Sequence, residues 1–302
     1  MGRISNHDQP WRIVGLFVLS LWVLAGRVGA GEPVEYLASI AGGPKEAFSF
    51  PTALFLDPAK GWLYVADAGA NCLFSFDEQL KYLARFDHEG KLRTPTSLVK
   101  DPEGRFYVVE KSKGEVTYFD LKSKSARSLL LKGVEFPGPL ALGSKGEVYL
   151  SDRSNGKIFS VNGNGEAVPR LAAMDGASSF TDLWPGPEGE IYAVDALARK
   201  VYRLGGQGDG RTPLSFGQEG GGRGEFLFPV SLTGMGRQLL VADSHRHKIL
   251  AFDLSGRFLF EFGREGMGEG MLKYPICVRA DGQGRIFVLN KGTRRIEVFK
   301  LP

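Results

Sequence analysis

The chain has 302 residues, 43% of them hydrophobic and 24% charged, which is enough apolar content for a packed core and too much for a disordered chain. Lys and Arg number 38 against 34 Asp and Glu, so the formal charge is only +4 and gives no ground for nucleic-acid binding. Two cysteines exclude a disulfide-built scaffold, and 41 glycines point to many tight turns.

The first element is apolar. Arg3 and Arg12 precede "IVGLFVLSLWVLA" (13–25), followed by "GRVGA" with Val28 and Ala30 at small-residue positions. That pattern predicts a secretory signal over residues 1–30, cleaved after Ala30. The run falls short of the roughly 20 residues that span a bilayer, so no stable membrane span is expected after cleavage. Cleavage removes Arg3, Arg12, Arg27 and Asp8, which lowers the net charge from +4 to +2. The expected location is periplasmic or extracellular.

Residues 31–302 read as one domain of repeats. Six β-rich segments start at 62, 105, 147, 190, 238 and 285: "WLYVAD", "RFYVVE", "EVYLSD", "EIYAVD", "QLLVAD" and "RIFVLN". Each ends in Asp, Glu or Asn. A segment introduced by proline, such as "FPTALFLD" or "YPICVRAD", usually precedes each one, and an alternating segment such as "CLFSFD" or "KILAFD" follows after a short turn. An outer segment such as "YLARFD" or "FLFEFG" completes the unit, except in the sixth. Four strands (a to d) per roughly 45 residues is a propeller blade. The sixth unit ends at "RIEVFKLP", and "EYLASIAGG" (35–43) matches "RFLFEFGRE" (257–265). The expected fold is therefore all-β: a six-bladed β-propeller of four-stranded antiparallel blades, closed by the mature N-terminal strand.

The stretch "FGQEGGGRGEFLFPVSL…QLLVADSHRHKILAFDLSGRFLFEFG" in the fifth unit resembles a blade of the NHL-repeat propellers. The first and sixth units match well, and the second to fourth are degenerate. The resemblance covers residues 34–302 and implies fold more than function. The architecture also resembles lyases with histidine-ligated zinc and gluconolactonase-like enzymes with channel calcium. The strand-a entrances here are Thr52, Thr96, Gly138, Asp182, Val230 and Ile276, with one carboxylate and no histidine.

"SHRHK" (244–248) stands at a b–c turn. Position five after the strand-end acid is Cys72, Glu115, Lys157, Lys200, Lys248 and Arg295, four cations in six, expected to pair across the turn with the acid. His245 and Arg246 depart from the usual small turn residues. Lys111, Lys113, Arg153, Lys157, Arg199, Lys200, Arg246, Lys248, Lys291, Arg294 and Arg295 form a basic rim on the b–c face.

These residues set the functional expectation. It is an exported, monomeric, non-enzymatic scaffold that binds a protein or a cell-envelope component, not nucleic acid. The expected contact residues are Arg153, Lys200, His245, Arg246, His247, Lys248, Arg294 and Arg295. No catalytic residue, metal or cofactor is expected, and Cys72 and Cys277 read as packing residues. The alternatives are a metal-dependent lyase or lactonase-like propeller enzyme and an extracytoplasmic sensor module.

Overall fold

A computed structural model describes residues 33–302 apart from 121, 124, 173–178 and 206–213. The segment expected to be a signal lies outside the described residues.

Among the described residues, twenty-four strands form six four-stranded antiparallel sheets. The first blade comprises β2 (Pro51–Leu56), β3 (Leu63–Asp67), β4 (Cys72–Phe76) and β5 (Tyr82–Phe86). The second comprises β6 (Pro95–Lys100), β7 (Arg105–Glu110), β8 (Glu115–Asp120) and β9 (Ser125–Leu129). The third comprises β10 (Pro137–Leu142), β11 (Val148–Asp152), β12 (Ile158–Val161) and β13 (Ala167–Leu171). The fourth comprises β14 (Asp182–Pro185), β15 (Ile191–Asp195), β16 (Lys200–Leu204) and β17 (Leu214–Phe216). The fifth comprises β18 (Pro229–Met235), β19 (Gln238–Asp243), β20 (Lys248–Asp253) and β21 (Phe258–Phe262).

The sixth blade joins the two ends of the domain. β22 (Pro275–Ala280), β23 (Arg285–Asn290) and β24 (Arg295–Lys300) take β1 (Glu35–Ile40) as their outer strand. Glu35 lies opposite Lys300 and Ile40 opposite Ile296. The chain is thus a closed six-bladed propeller, and closure hides the edge that β24 would otherwise offer.

Strands b and c are buried on both faces. Leu63, Val65, Leu239, Val241, Phe287 and Leu289 have no measurable exposure. The outer strands are half-exposed, as in the pattern of β5. Each large apolar side chain buried this way contributes roughly 1.5–3 kcal/mol. Blades interlock through aromatic groups. Trp184 of β14 packs on Tyr192 at 5.6 Å and lies over Gly234 of β18.

Strand a carries a recurrent irregularity. The register with strand b slips directly after the leading proline in five blades, between Pro51 and Ala53, Pro95 and Ser97, Pro137 and Leu140, Pro229 and Ser231, and Pro275 and Cys277. A bulge re-aims a side chain. The skipped residues include Thr52, Thr96, Gly138, Val230 and Ile276, and all five line the end of the central channel. Cys72 and Cys277 are buried free thiols.

Candidate functional site

The strand-end acid of blades one to five is a clamp. Asp243 is fully buried and accepts the N–H groups of Leu227, Phe228, His245 and Arg246 at 2.7–3.2 Å. Asp67 takes Ser49, Phe50, Gly69 and Ala70 in the same way. Asp152 takes Glu135, Phe136 and Ser154. One carboxylate thereby ties a d–a loop to a b–c turn. Burial opposes ionisation of Asp152, but its N–H donors and the Ser154 hydroxyl outweigh burial and hold its pKa below the ordinary value.

This arrangement corrects the cross-strand ion pair expected at the turn. Lys157, Lys200, Lys248 and Arg295 do stand at position five, and Lys200, Lys248 and Arg295 face Asp195, Asp243 and Asn290 in the register. The buried acids spend their oxygens on backbone N–H groups instead. Lys248 and Arg246 converge on Glu261, at 3.1 and 2.9 Å. Arg246 also donates to the Glu225 carbonyl. Arg295 is bound to Glu297 and to the carbonyls of Met267 and Gly268.

His247 is buried, with φ +56°. Its Nδ1 accepts the Tyr274 N–H at 2.9 Å and its ring meets the Tyr274 ring edge-on at 4.6 Å. Burial pushes its pKa down, against the pull of Glu265. His245 is exposed and stacks on Phe228 at 4.7 Å. The "SHRHK" stretch is therefore a packed turn that joins blades five and six.

Arg153, Lys200 and Arg294 are exposed. Lys200 and Arg294 remain on separate blades of the rim. The N–H of the residue after the strand-end group donates to the carbonyl before the strand-a proline in several blades, among them Lys111 to Thr94, Arg153 to Phe136 and Lys291 to Tyr274. That bond carries the turn toward the axis, and Arg153 lines the channel mouth. Exposed Phe50, Phe136, Leu197 and Tyr274 share this face, Phe136 at 62% and Leu197 at 70%.

The channel has two ends and a plug. The b–c end is a polar cavity of about 130 Å³, and all six strand-a entrance residues line it. The other end is a cavity of about 170 Å³ lined by Arg279 and Thr233 together with apolar residues such as Leu56, Leu142 and Trp184. Arg279 of β22 lines both. Its guanidinium grips Asp182 with Nη1 at 2.7 Å and Nη2 at 3.0 Å. Ser231 donates to Asp182 at 2.5 Å and accepts the Val278 N–H. Burial works against the Arg279 charge, but Asp182 more than offsets it and raises the pKa.

Sequence reasoning noted Asp182 and missed its partner. The signal was present. Arg279 stands in the register where other blades carry Phe55, Val99, Ala141 and Thr233.

The plug bears on metal binding. Calcium takes about six to eight oxygen ligands and catalytic zinc three protein ligands. Asp182 gives its oxygens to Arg279, Ser231 and the Leu232 N–H. No group of three His, Cys, Asp or Glu converges among the described residues. The channel donors do not fit either metal.

No family model and no curated protein matches the chain. Solved structures do share its fold. A gluconolactonase from Xanthomonas campestris superposes with a TM-score of 0.67 at 12% identity, covering 89% of this chain and 90% of that one. A catalytically inactive virginiamycin B lyase from Staphylococcus aureus, solved with quinupristin, gives 0.62 at 14%, covering 86% and 83%. A chain of a nidogen/laminin complex gives 0.58 at 18%, covering 72% and 83%. At such identities the likeness establishes the six-bladed propeller fold.

Proposed function

We propose that this chain is an exported recognition propeller of NHL type, which binds a protein or a cell-envelope component on its b–c face. The observation that carries the reading is the composition of that face. Lys111, Arg153, Lys157, Lys200 and Lys291 are exposed and form no ion pair among the described residues, while five of the six strand-end groups, Asp67, Glu110, Asp152, Asp195 and Asp243, are buried carboxylates. Exposed Phe50, Phe136, Leu197 and Tyr274 stand among them. Cations interleaved with aromatic groups suit an acidic partner. Arg246, Lys248 and Arg295 serve the fold, so the contact falls to Arg153, Lys200, His245 and Arg294.

A second reading is an enzyme of the lyase or lactonase kind. The likeness in fold to a gluconolactonase and a virginiamycin B lyase favours it. The channel donor set weighs against its metal-dependent form.

Metal analysis and turnover separate the two. The purified mature chain is equilibrated with calcium and with zinc, desalted and weighed by native mass spectrometry. It is then assayed against a lactone panel and quinupristin. Recognition predicts no retained metal and no turnover. One retained ion per chain with ring opening establishes the enzyme and overturns recognition.

A further inference from the structure

The polar mouth has a chemistry of its own. Arg153 reaches it by crossing Gly138. A Cβ built on Gly138 would lie 2.6 Å from Arg153 Cγ and 2.8 Å from the Ser151 carbonyl oxygen. Glycine is therefore what opens the path for the guanidinium. Arg153 makes no ion pair or side-chain hydrogen bond among the described residues, so its planar fork of donors is free.

The other polar groups divide into two kinds. Thr52 spends its hydroxyl proton on the carbonyl of Pro95 at 2.7 Å or of Ala66 at 3.2 Å. Thr181 and Thr96 donate to Val194 and Val109. Each of these oxygens is left as an acceptor toward the mouth. Ser97 is the converse: its oxygen accepts the Leu140 N–H at 2.9 Å and its proton has no partner among the described residues. At the floor, the charges of Arg279 and Asp182 cancel. The mouth thus holds one unbalanced positive charge, a spare hydroxyl donor and a set of spare acceptors.

We infer that the mouth is a site for a compact monocarboxylate that bears a hydrogen-bond donor next to the carboxylate. Arg153 and Ser97 take the carboxylate, and the threonine oxygens accept from the ligand's hydroxyl, ammonium or amide N–H. The volume of about 130 Å³ admits a head group of a few heavy atoms; a cavity of about 150 Å³ holds one benzene. Lys111 and Lys291 occupy the turn position of Arg153 in their own blades and surround the mouth with positive potential. The ligand is either a free small acid or the carboxyl end of a partner chain. This deepens the recognition reading and rests on it.

Isothermal titration of the mature chain tests the site with acetate, lactate, glycine, and one tripeptide in free-acid and C-terminally amidated forms. Donor-bearing carboxylates bind more tightly than acetate. Binding of lactate or glycine identifies a free acid; binding confined to the free-acid tripeptide identifies a chain end. Arg153→Gln weakens binding roughly tenfold or more, the worth of one hydrogen bond to a charged group. Lys145→Gln, in the exposed a–b turn of the same blade at the opposite end of its strands, leaves it unchanged. Equal affinity for the Arg153→Gln chain, preference for acetate, or no binding at tens of millimolar overturns the site. Turnover of a lactone with intact carboxylate binding overturns recognition and leaves the carboxylate site standing.

Discussion

Asp243 holds four backbone N–H groups with one side chain and has no exposed surface. Asp243→Ala strands these donors at a buried junction, at a cost of about 3–5 kcal/mol. Asp243→Asn keeps one acceptor oxygen and costs less, about 1–2 kcal/mol. Blade six already uses this solution, where Asn290 accepts from Lys273 and donates to Met271. Urea denaturation of the two variants checks the order. His247 makes a pH prediction. Burial favours its neutral form, so its folded pKa lies below the unfolded value of about 6.5. Its contribution is fully present above that value, falls as pH drops below it, and levels off under the folded pKa. His247→Asn tolerates the positive φ, keeps an acceptor for the Tyr274 N–H and does not titrate. Its stability between pH 7 and 5 should fall less than that of the parent, read as Tm against pH. The turn was legible in "SHRHK" from comparison among the repeats. The clamp was not, because the partners it takes from the d–a loop lie 15 to 18 residues away along the chain.

At the scale of the strand, the alternating pattern and the leading prolines made all four strands of the blades readable. The bulge after each proline was not readable, since it is a slip of register against strand b that no single strand displays. It aims Thr52, Thr96 and Ile276 into the channel. Contacts between blades were partly readable. The repeat pattern marks β14 and β18 as strands a of neighbouring blades, and Trp184 of β14 covers Gly234 of β18, where an added Cβ would lie 1.9 Å from the indole. Gly234→Ala should force the indole out of this contact and destabilise by about 1–3 kcal/mol. Trp fluorescence should shift toward that of a more exposed indole together with the fall in Tm. An unchanged Tm would mean that blades four and five yield more freely than their packing implies.

At the scale of the ring, closure depends on two ties. One is the Arg279–Asp182 pair, which joins blade six to blade four and engages Ser231 of blade five. Its partners are 97 residues apart, so only the folded ring brings them together. The other is β1, whose match to β21 made it legible as the missing outer strand. Pairing of β1 with β24 covers the backbone edge of β24 and packs Tyr36 against Phe299 at 6.2 Å. A chain that begins at Pro44 loses that cover, along with the hydroxyl of Ser39 that donates to buried Glu297. The exposed edge of β24 is then a template for a strand from another molecule. The shortened chain should unfold at lower temperature and self-associate with rising concentration, seen by light scattering. A synthetic peptide of residues 33–43 added in trans should dock on the open edge, raise the Tm and suppress association. If the shortened chain stays monomeric with an unchanged Tm, the ring is held by its blade interfaces and the axial ion pair, and β1 is only a cover.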